Sequence, residues 1–324
     1  MPRNSKKMNM VQAINLALKE EMQRDKDVII LGEDVGRDGG VFRITEGLLD
    51  QFGPERVVDT PLAESVIVGA AIGMAAYGLK PIAEIQFEGF IYPAVDQISN
   101  HAARIRSRSR GRYTCPLVIR TPYGAGIKAP EHHSESNEAL FCHMPGLKVV
   151  MPSSPYYAKG LLLSSIRDPD PVIFLESTRL YRLVKEDVPE GEYTVPLEKA
   201  RIVQEGKDVT VISWGFMLHR ALEAVEGFDA EVIDLMTLNP YDEETILGSV
   251  KKTGRVVIVN EAPKVGSFAS ELAAAIAENA MLSLRAPIAR IASYDVVLPL
   301  PKLEDHYMPT AERIRKALTD IMQY

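Results

Sequence analysis

Arg56-Val57-Val58-Asp59-Thr60-Pro61-Leu62-Ala63-Glu64-Ser65-Val66-Ile67-Val68-Gly69-Ala70-Ala71-Ile72-Gly73-Met74-Ala75-Ala76 is the stretch whose reading decides the fold. Its first residues form a short β-branched run, which suits a strand. Thr60-Pro61 ends that run, because proline fixes φ and lacks an N–H donor. No further proline follows before Pro81, and a helix is predicted from about Glu64 to Tyr77. Strand, break and apolar helix form the unit from which parallel sheets are built.

The same alternation continues in both directions. Upstream, Val11, Ile14, Leu18 and Met22 recur at helical spacing. Val28–Leu31 reads as a buried strand closed by Gly32-Glu33-Asp34-Val35-Gly36, and a glycine-rich loop from Gly36 to Gly40 leads into a short helix. Downstream come the strand Pro81–Ile85 and a helix through Val95, Ile98 and Ala102. Further strands are expected at Leu117–Arg120, Leu147–Met151 and Val172–Glu176, with a helix after Pro155. From about Leu183 to Pro196 the pattern lapses into Pro, Gly and charge, which marks a linker. Beyond it, strands at Val209–Trp214, Ala230–Leu235, Arg255–Asn260 and Ile288–Ala292 alternate with helices ending in Thr310–Met322. The expectation is an α/β protein of two domains, residues 1–185 and 200–324, joined by 186–199. Each is a mostly parallel sheet covered by helices.

The length of 324 residues suits two domains, and 46% hydrophobic with 25% charged residues is a globular composition. The net charge of −7 argues against nucleic acid as a partner. No apolar run is long enough to span a bilayer. The N-terminal Met1–Lys7 is basic without the apolar core of a secretion signal. Cys115 and Cys142 form neither a disulfide framework nor a metal spacing, so a cytoplasmic location is expected.

Several side chains carry candidate chemistry. Glu64 opens a helix whose residues are apolar on nearly every side, so the helix is expected to be buried. A lone first-turn glutamate usually does no more than complement the helix dipole. At the mouth of a buried helix it is costly without a partner, and a heterocyclic cofactor nitrogen is one such partner. The polar segment Ala129–Ser136 holds His132 and His133, which composition alone would leave as solvated surface histidines. His143, beside Met144-Pro145-Gly146, reads as a structural helix-end residue. The basic run Arg104–Arg112 lacks interleaved aromatics and reads as a solvated helix end or an inter-subunit salt-bridge surface. No G-x-G-x-x-G, Walker or G-x-S-x-G pattern is present.

Taken together, the blocks Gly32-Glu33-Asp34-Val35, Gly39-Gly40-Val41-Phe42-Arg43, Asp59–Glu64, Glu84-Ile85-Gln86-Phe87, His133-Ser134, Pro145–Val150, Lys159–Leu162 and Lys252–Arg255 resemble one family. It is that of the beta subunits of the thiamine-diphosphate-dependent first component of pyruvate and branched-chain 2-oxo acid dehydrogenase complexes. The resemblance implies a pyrimidine-binding domain followed by a transketolase C-terminal-type domain. It also implies an α2β2 heterotetramer with an alpha subunit. The activity implied is oxidative decarboxylation of a 2-oxo acid and acylation of the lipoyl group of a dihydrolipoyl acyltransferase, whose core would be a further partner.

Glu64 matches the family's cofactor glutamate, whose carboxyl hydrogen-bonds the aminopyrimidine nitrogen and promotes deprotonation of the thiazolium carbon. Leu62 and Phe90 fall at cofactor-binding positions. Gln86 falls near the substrate or lipoyl group, and His133 matches the proton donor for acyl transfer. A potassium site is implied at Cys115, Leu117, Val118, Ser165, Asp168 and Asp170, mostly through backbone carbonyls. The chain departs from the common pattern at Ser107 and Arg110, and His132 stands at a variable position. It also lacks the G-D-G segment with a later asparagine through which the family holds magnesium and diphosphate, which the resemblance assigns to the alpha subunit. An acetoin dehydrogenase subunit, a split transketolase-like enzyme and an assembly subunit docking the acyltransferase core are the alternatives.

Overall fold

The computed structural model describes residues 5–324. Its strands are β1 (Ser5–Met8), β2 (Val28–Gly32), β3 (Val57–Asp59), β4 (Lys80–Glu84), β5 (Val118–Tyr123), β6 (Lys148–Val150) and β7 (Val172–Ser177). They continue with β8 (Glu186–Pro189), β9 (Arg201–Gln204), β10 (Val209–Ser213), β11 (Ala230–Asp234), β12 (Thr237–Asn239), β13 (Val256–Pro263) and β14 (Ala289–Ser293). Seven strands form one sheet in the order β12-β6-β7-β5-β4-β2-β3, and five form another, β14-β13-β10-β11-β9. Pairing is parallel throughout except at β12 and β9, one antiparallel strand on an edge of each sheet.

Side-chain alternation explains why both faces are covered. Ile30, Ile82, Val118, Val172 and Phe174 enter one apolar core, with Ile14 and Leu18 of the Met10–Arg24 helix and Leu161 and Leu162 of the Pro155–Arg167 helix. Their neighbours Leu31, Ala83, Ile119, Ile173 and Leu175 enter the other, with Ile67, Val68 and Ala71. Both cores continue into the second sheet, through Val211 and Val259 on one side and Ile212 and Ile258 on the other. Each fully buried Leu, Ile or Val contributes about 1.5–3 kcal/mol.

Three local features differ from the sequence expectation. The 186–199 stretch contains β8, which pairs antiparallel with β1 and ties it to the N-terminus. The segment through Val95, Ile98 and Ala102 is not one α-helix: a 3-10 stretch (Glu88–Ala94), a π turn (Gln97–His101) and a second 3-10 turn succeed one another. Pro93 lies inside the first of these and cannot donate the N–H that α pairing needs. The Glu64–Ala76 helix buries Ile67, Val68, Ala71, Ile72 and Ala75, but Val66 and the flanking Leu62 and Tyr77 are exposed. Uniform apolarity therefore marks two covered faces only if a second chain covers one of them.

Charge is buried at the centre of the first sheet. Arg120 on β5 donates to Glu84 Oε2 on β4 at 2.8 Å and to both oxygens of Glu176 on β7 at 2.7 and 2.9 Å. Tyr181 Oη donates to Glu176 Oε2 at 2.7 Å. Burial pushes the Glu84 carboxyl upward against the pull of Arg120. Arg120→Ala would leave two buried carboxylates facing each other, at a cost of about 3–5 kcal/mol. Denaturant unfolding of the variant measures this, and a loss under 1 kcal/mol would show that the triad does not hold the sheet centre.

Candidate active site

Parallel strands collect side chains at their carboxyl ends, where α/β folds place ligand sites. There, β3 ends at Asp59 and the turn delivers Glu64 as the first residue of its helix, 8% exposed. Among the described residues nothing donates a hydrogen bond to its carboxylate, and the adjoining Leu62 is 77% exposed. Glu33, just beyond β2, lies close enough for the two carboxylates to interact. Burial and then the Glu64 charge raise the Glu33 carboxyl above its ordinary value.

From β4 the chain runs into Gln86, Phe87 and the Glu88–Ala94 stretch bearing Phe90. Gln86 Nε2 donates to Asp34 Oδ2 at 2.9 Å, which links the ends of β2 and β4. The Glu88–Ala94 stretch packs on both the Glu64–Ala76 helix and the Glu131–His133 turn, and so brings the glutamate and histidine segments to one edge. His133 lies edge-on to Phe87 with ring centres 4.4 Å apart and to Phe90 at 5.1 Å. Phe87 in turn meets Phe42 of the Gly36–Gly47 loop at 5.6 Å. The close approach depends on Gly89, where a Cβ atom would sit 2.1 Å from the His132 carbonyl oxygen.

His133 is half-buried, and its Nδ1 has no hydrogen-bond partner. Burial lowers its pKa from the ordinary 6.5, and the neighbouring His132, ring centres 4.3 Å apart, lowers it further against the pull of Glu131. The ring is therefore neutral near pH 7. His132 is exposed, as composition implied, whereas the aromatic pair Phe87 and Phe90 shelters His133.

The Cys115–Val118 and Ser165–Asp170 stretches lie side by side: the Cys115 N–H donates to Pro169 O at 3.0 Å and the Val172 N–H to Leu117 O at 2.9 Å. The side chains there are already engaged. Lys148 Nζ sits 2.6 Å from Asp168, Arg106 Nε 2.5 Å from Asp170, and Ser165 Oγ donates to Leu161 O at 2.8 Å. What remains for a cation is the carbonyl oxygens. Among the described residues there is no group of three or more His, Cys, Asp or Glu side chains able to hold a metal ion.

The family comparison follows from this geometry. Residues 6–184 match the model of the transketolase pyrimidine-binding domain and residues 198–314 that of the transketolase C-terminal domain. The chain is 50% identical over 324 residues to the 2-oxoisovalerate dehydrogenase subunit beta of Bacillus subtilis, covering 98% of this chain and 99% of that one. This chain belongs to the family of 2-oxo acid dehydrogenase E1 beta subunits. Also in this family is the pyruvate dehydrogenase E1 component subunit beta of Acholeplasma laidlawii, 50% identical over 95% of both chains. A solved split-gene transketolase, described as an inactive beta4 tetramer, shares the fold with a TM-score of 0.81 at 23% identity, over 98% of this chain and 99% of that one.

Phe87, Glu33 and the buried acids described below were not singled out in the sequence, although Phe87 and Glu33 stand inside the family blocks. Replacing His132 by Gln removes the neighbouring positive charge, so His133 should titrate at higher pH. Its imidazole resonances followed by NMR against pH provide the check, and an unchanged midpoint would exclude coupling between the two rings.

Proposed function

We propose that this chain supplies the aminopyrimidine half of a thiamine diphosphate site in a 2-oxo acid dehydrogenase. The observation that carries the proposal is Glu64: a buried carboxylate at a helix start, without a hydrogen-bond donor among the described residues and beside the exposed Leu62 and Val66. That environment suits a hydrogen bond to a ring nitrogen, with Leu62 and Phe90 against the ring. When bound, the group supplies a carbon nucleophile toward the keto carbon and takes up the electrons released with carbon dioxide. Glu64 holds the proton shared with the pyrimidine nitrogen, and the walls formed by Phe87 and Phe90 exclude water around it. His133, neutral and backed by those rings, is placed to exchange a proton with the lipoyl sulfur during acyl transfer. Gln86, fixed by Asp34, is directed to the same edge.

The exposed Leu62, Val66 and Tyr77 on the glutamate helix support an alpha subunit as the missing cover, in an α2β2 assembly whose alpha chain holds Mg2+ and the diphosphate. A lipoyl domain of the acyltransferase is the acceptor, and pyruvate or a branched-chain 2-oxo acid is the substrate. The near-equal likeness to beta subunits named for both substrates supports this breadth. The domain division across 186–199 and a cytoplasmic location belong to the same proposal. Split transketolase and assembly-only roles are not favoured, because the transketolase likeness is one of fold alone.

In an intact assembly with the alpha subunit, Glu64→Gln should lower decarboxylation of the preferred 2-oxo acid by roughly 10²–10⁴-fold. Full retained activity would refute the role given to Glu64. His133→Asn should reduce acyl transfer to a lipoyl domain well beyond its effect on decarboxylation, and equal losses would refute that division. At the carbonyl site, potassium should raise the unfolding temperature above that in choline at equal ionic strength, since a ligand bound only to the folded state stabilises it. Identical melting in both salts would exclude a cation there.

A further inference from the structure

Beneath the histidine loop lies a group of acids that the proposed chemistry does not use. Glu88 is fully buried, and its Oε1 accepts the Asn137 backbone N–H at 3.0 Å. Asn137 Nδ2 donates to Tyr92 Oη and to Glu135 Oε2, each at 3.0 Å, and Tyr92 Oη in turn donates to Glu135. The Gly124 N–H donates to Glu135 O at 2.8 Å, which closes the base of the loop onto β5. Both ends of the contact matter for geometry. Glu88 stands between Phe87 and Phe90, the two rings that touch His133, and Asn137 follows His133 by four residues. The His132 carbonyl pressed against Gly89 completes a second, backbone contact between the same two segments.

We propose that Glu88 is a positioning residue that latches the 124–137 loop onto the aromatic stretch and thereby holds His133 for acyl transfer. The inference rests on the reading of His133 given above. Tyr92, Glu135 and Asn137 form the outer half of the latch, where the groups are partly exposed, and Glu88 forms the inner half. Glu88 Oε2, Ser134 Oγ and both oxygens of Glu138 are buried without protein partners, so the inner half has spare capacity for shared protons or ordered water.

The ionisable groups on the surrounding elements are nearly all acids. They are Glu135 and Glu138 after the turn, Glu261 on β13, Tyr123 on β5, Glu64 on its helix, and Glu131, His132 and His133 on the turn itself. Burial first, and then Glu138, push Glu88 far above the carboxylate range. Glu138 is likewise raised to about 8 and Glu261 to about 7, chiefly by burial. A carboxyl raised in the folded state contributes stability that is complete below its ordinary value. The stability it contributes is lost as pH rises through that raised value, when charge must be carried in a dry, acidic surrounding. The latch is therefore weakened as pH rises.

The test uses the assembled complex with its alpha subunit and three readouts: decarboxylation with an artificial electron acceptor, acyl transfer to a lipoyl domain, and hydrogen exchange of residues 126–137. Glu88→Ala should slow acyl transfer roughly tenfold to a hundredfold, lower decarboxylation much less, and speed exchange across the loop. Glu88→Gln, which keeps the acceptor and removes the titration, should restore transfer and flatten its alkaline fall. Tyr92→Phe, at a partly exposed site, should act in the same direction more weakly and guards against misfolding of the alanine variant. Unchanged loop exchange in Glu88→Ala overturns the latch. So does an equal loss of both half-reactions that glutamine does not rescue. If His133→Asn spares acyl transfer while Glu88→Ala still loosens the loop, the role of His133 fails and the latch stands.

Discussion

The Arg120 guanidinium is the constraint on which the rest of the site depends. Held between Glu84 and Glu176, it fixes three adjacent parallel strands in register at their carboxyl ends. Taking three charges out of water costs several kcal/mol per ion unless each lone pair and proton is matched. Here four contacts match them, counting both Glu176 oxygens and the Tyr181 hydroxyl. Directly after Glu84 come Gln86, Phe87 and Glu88. Three residues past Arg120, β5 ends at Tyr123 and leads into the loop that carries His133, and Tyr181, anchored on Glu176, packs at 4.9 Å on Phe42. A network at the middle of the sheet thus sets where the aromatic and histidine walls of the site begin.

Much of this was legible in the sequence because the main strands are continuous apolar runs and the helices between them are periodic. The strands that escaped notice, β1, β8, β9 and β12, are three or four residues long and partly polar, and each pairs with a segment distant in sequence or beyond its own domain's pattern. Nothing local in Glu186-Asp187-Val188-Pro189 encodes its pairing with Ser5–Met8. Likewise, Glu84, Arg120 and Glu176 each look like a lone charge at a strand end. Only the parallel order β7-β5-β4 shows that they are neighbours.

Glu64 and His133 stand out in the sequence for a different reason. Their types and positions match family blocks, while their physical surroundings are invisible to spacing. The shelter of His133 by Phe87 and Phe90 comes from two strand ends meeting across a loop. The unmet carboxyl of Glu64 comes from a helix that presents one apolar face to its own core and another outward. The same helix explains why its burial was overestimated: hydrophobicity reports that a face will be covered and says nothing about which chain covers it.

The antiparallel strand β12 carries a consequence for how the molecule is made. It belongs to the part of the chain beyond residue 200, yet it completes the edge of the first sheet beside β6. On a ribosome, once β7 had emerged at Ser177 the first sheet would stand with β6 as an unpaired edge until Thr237 followed. An open edge on a hydrophobic parallel sheet invites pairing with other chains. The two halves of this subunit are thus successive stages of one assembly, and the second protects the first.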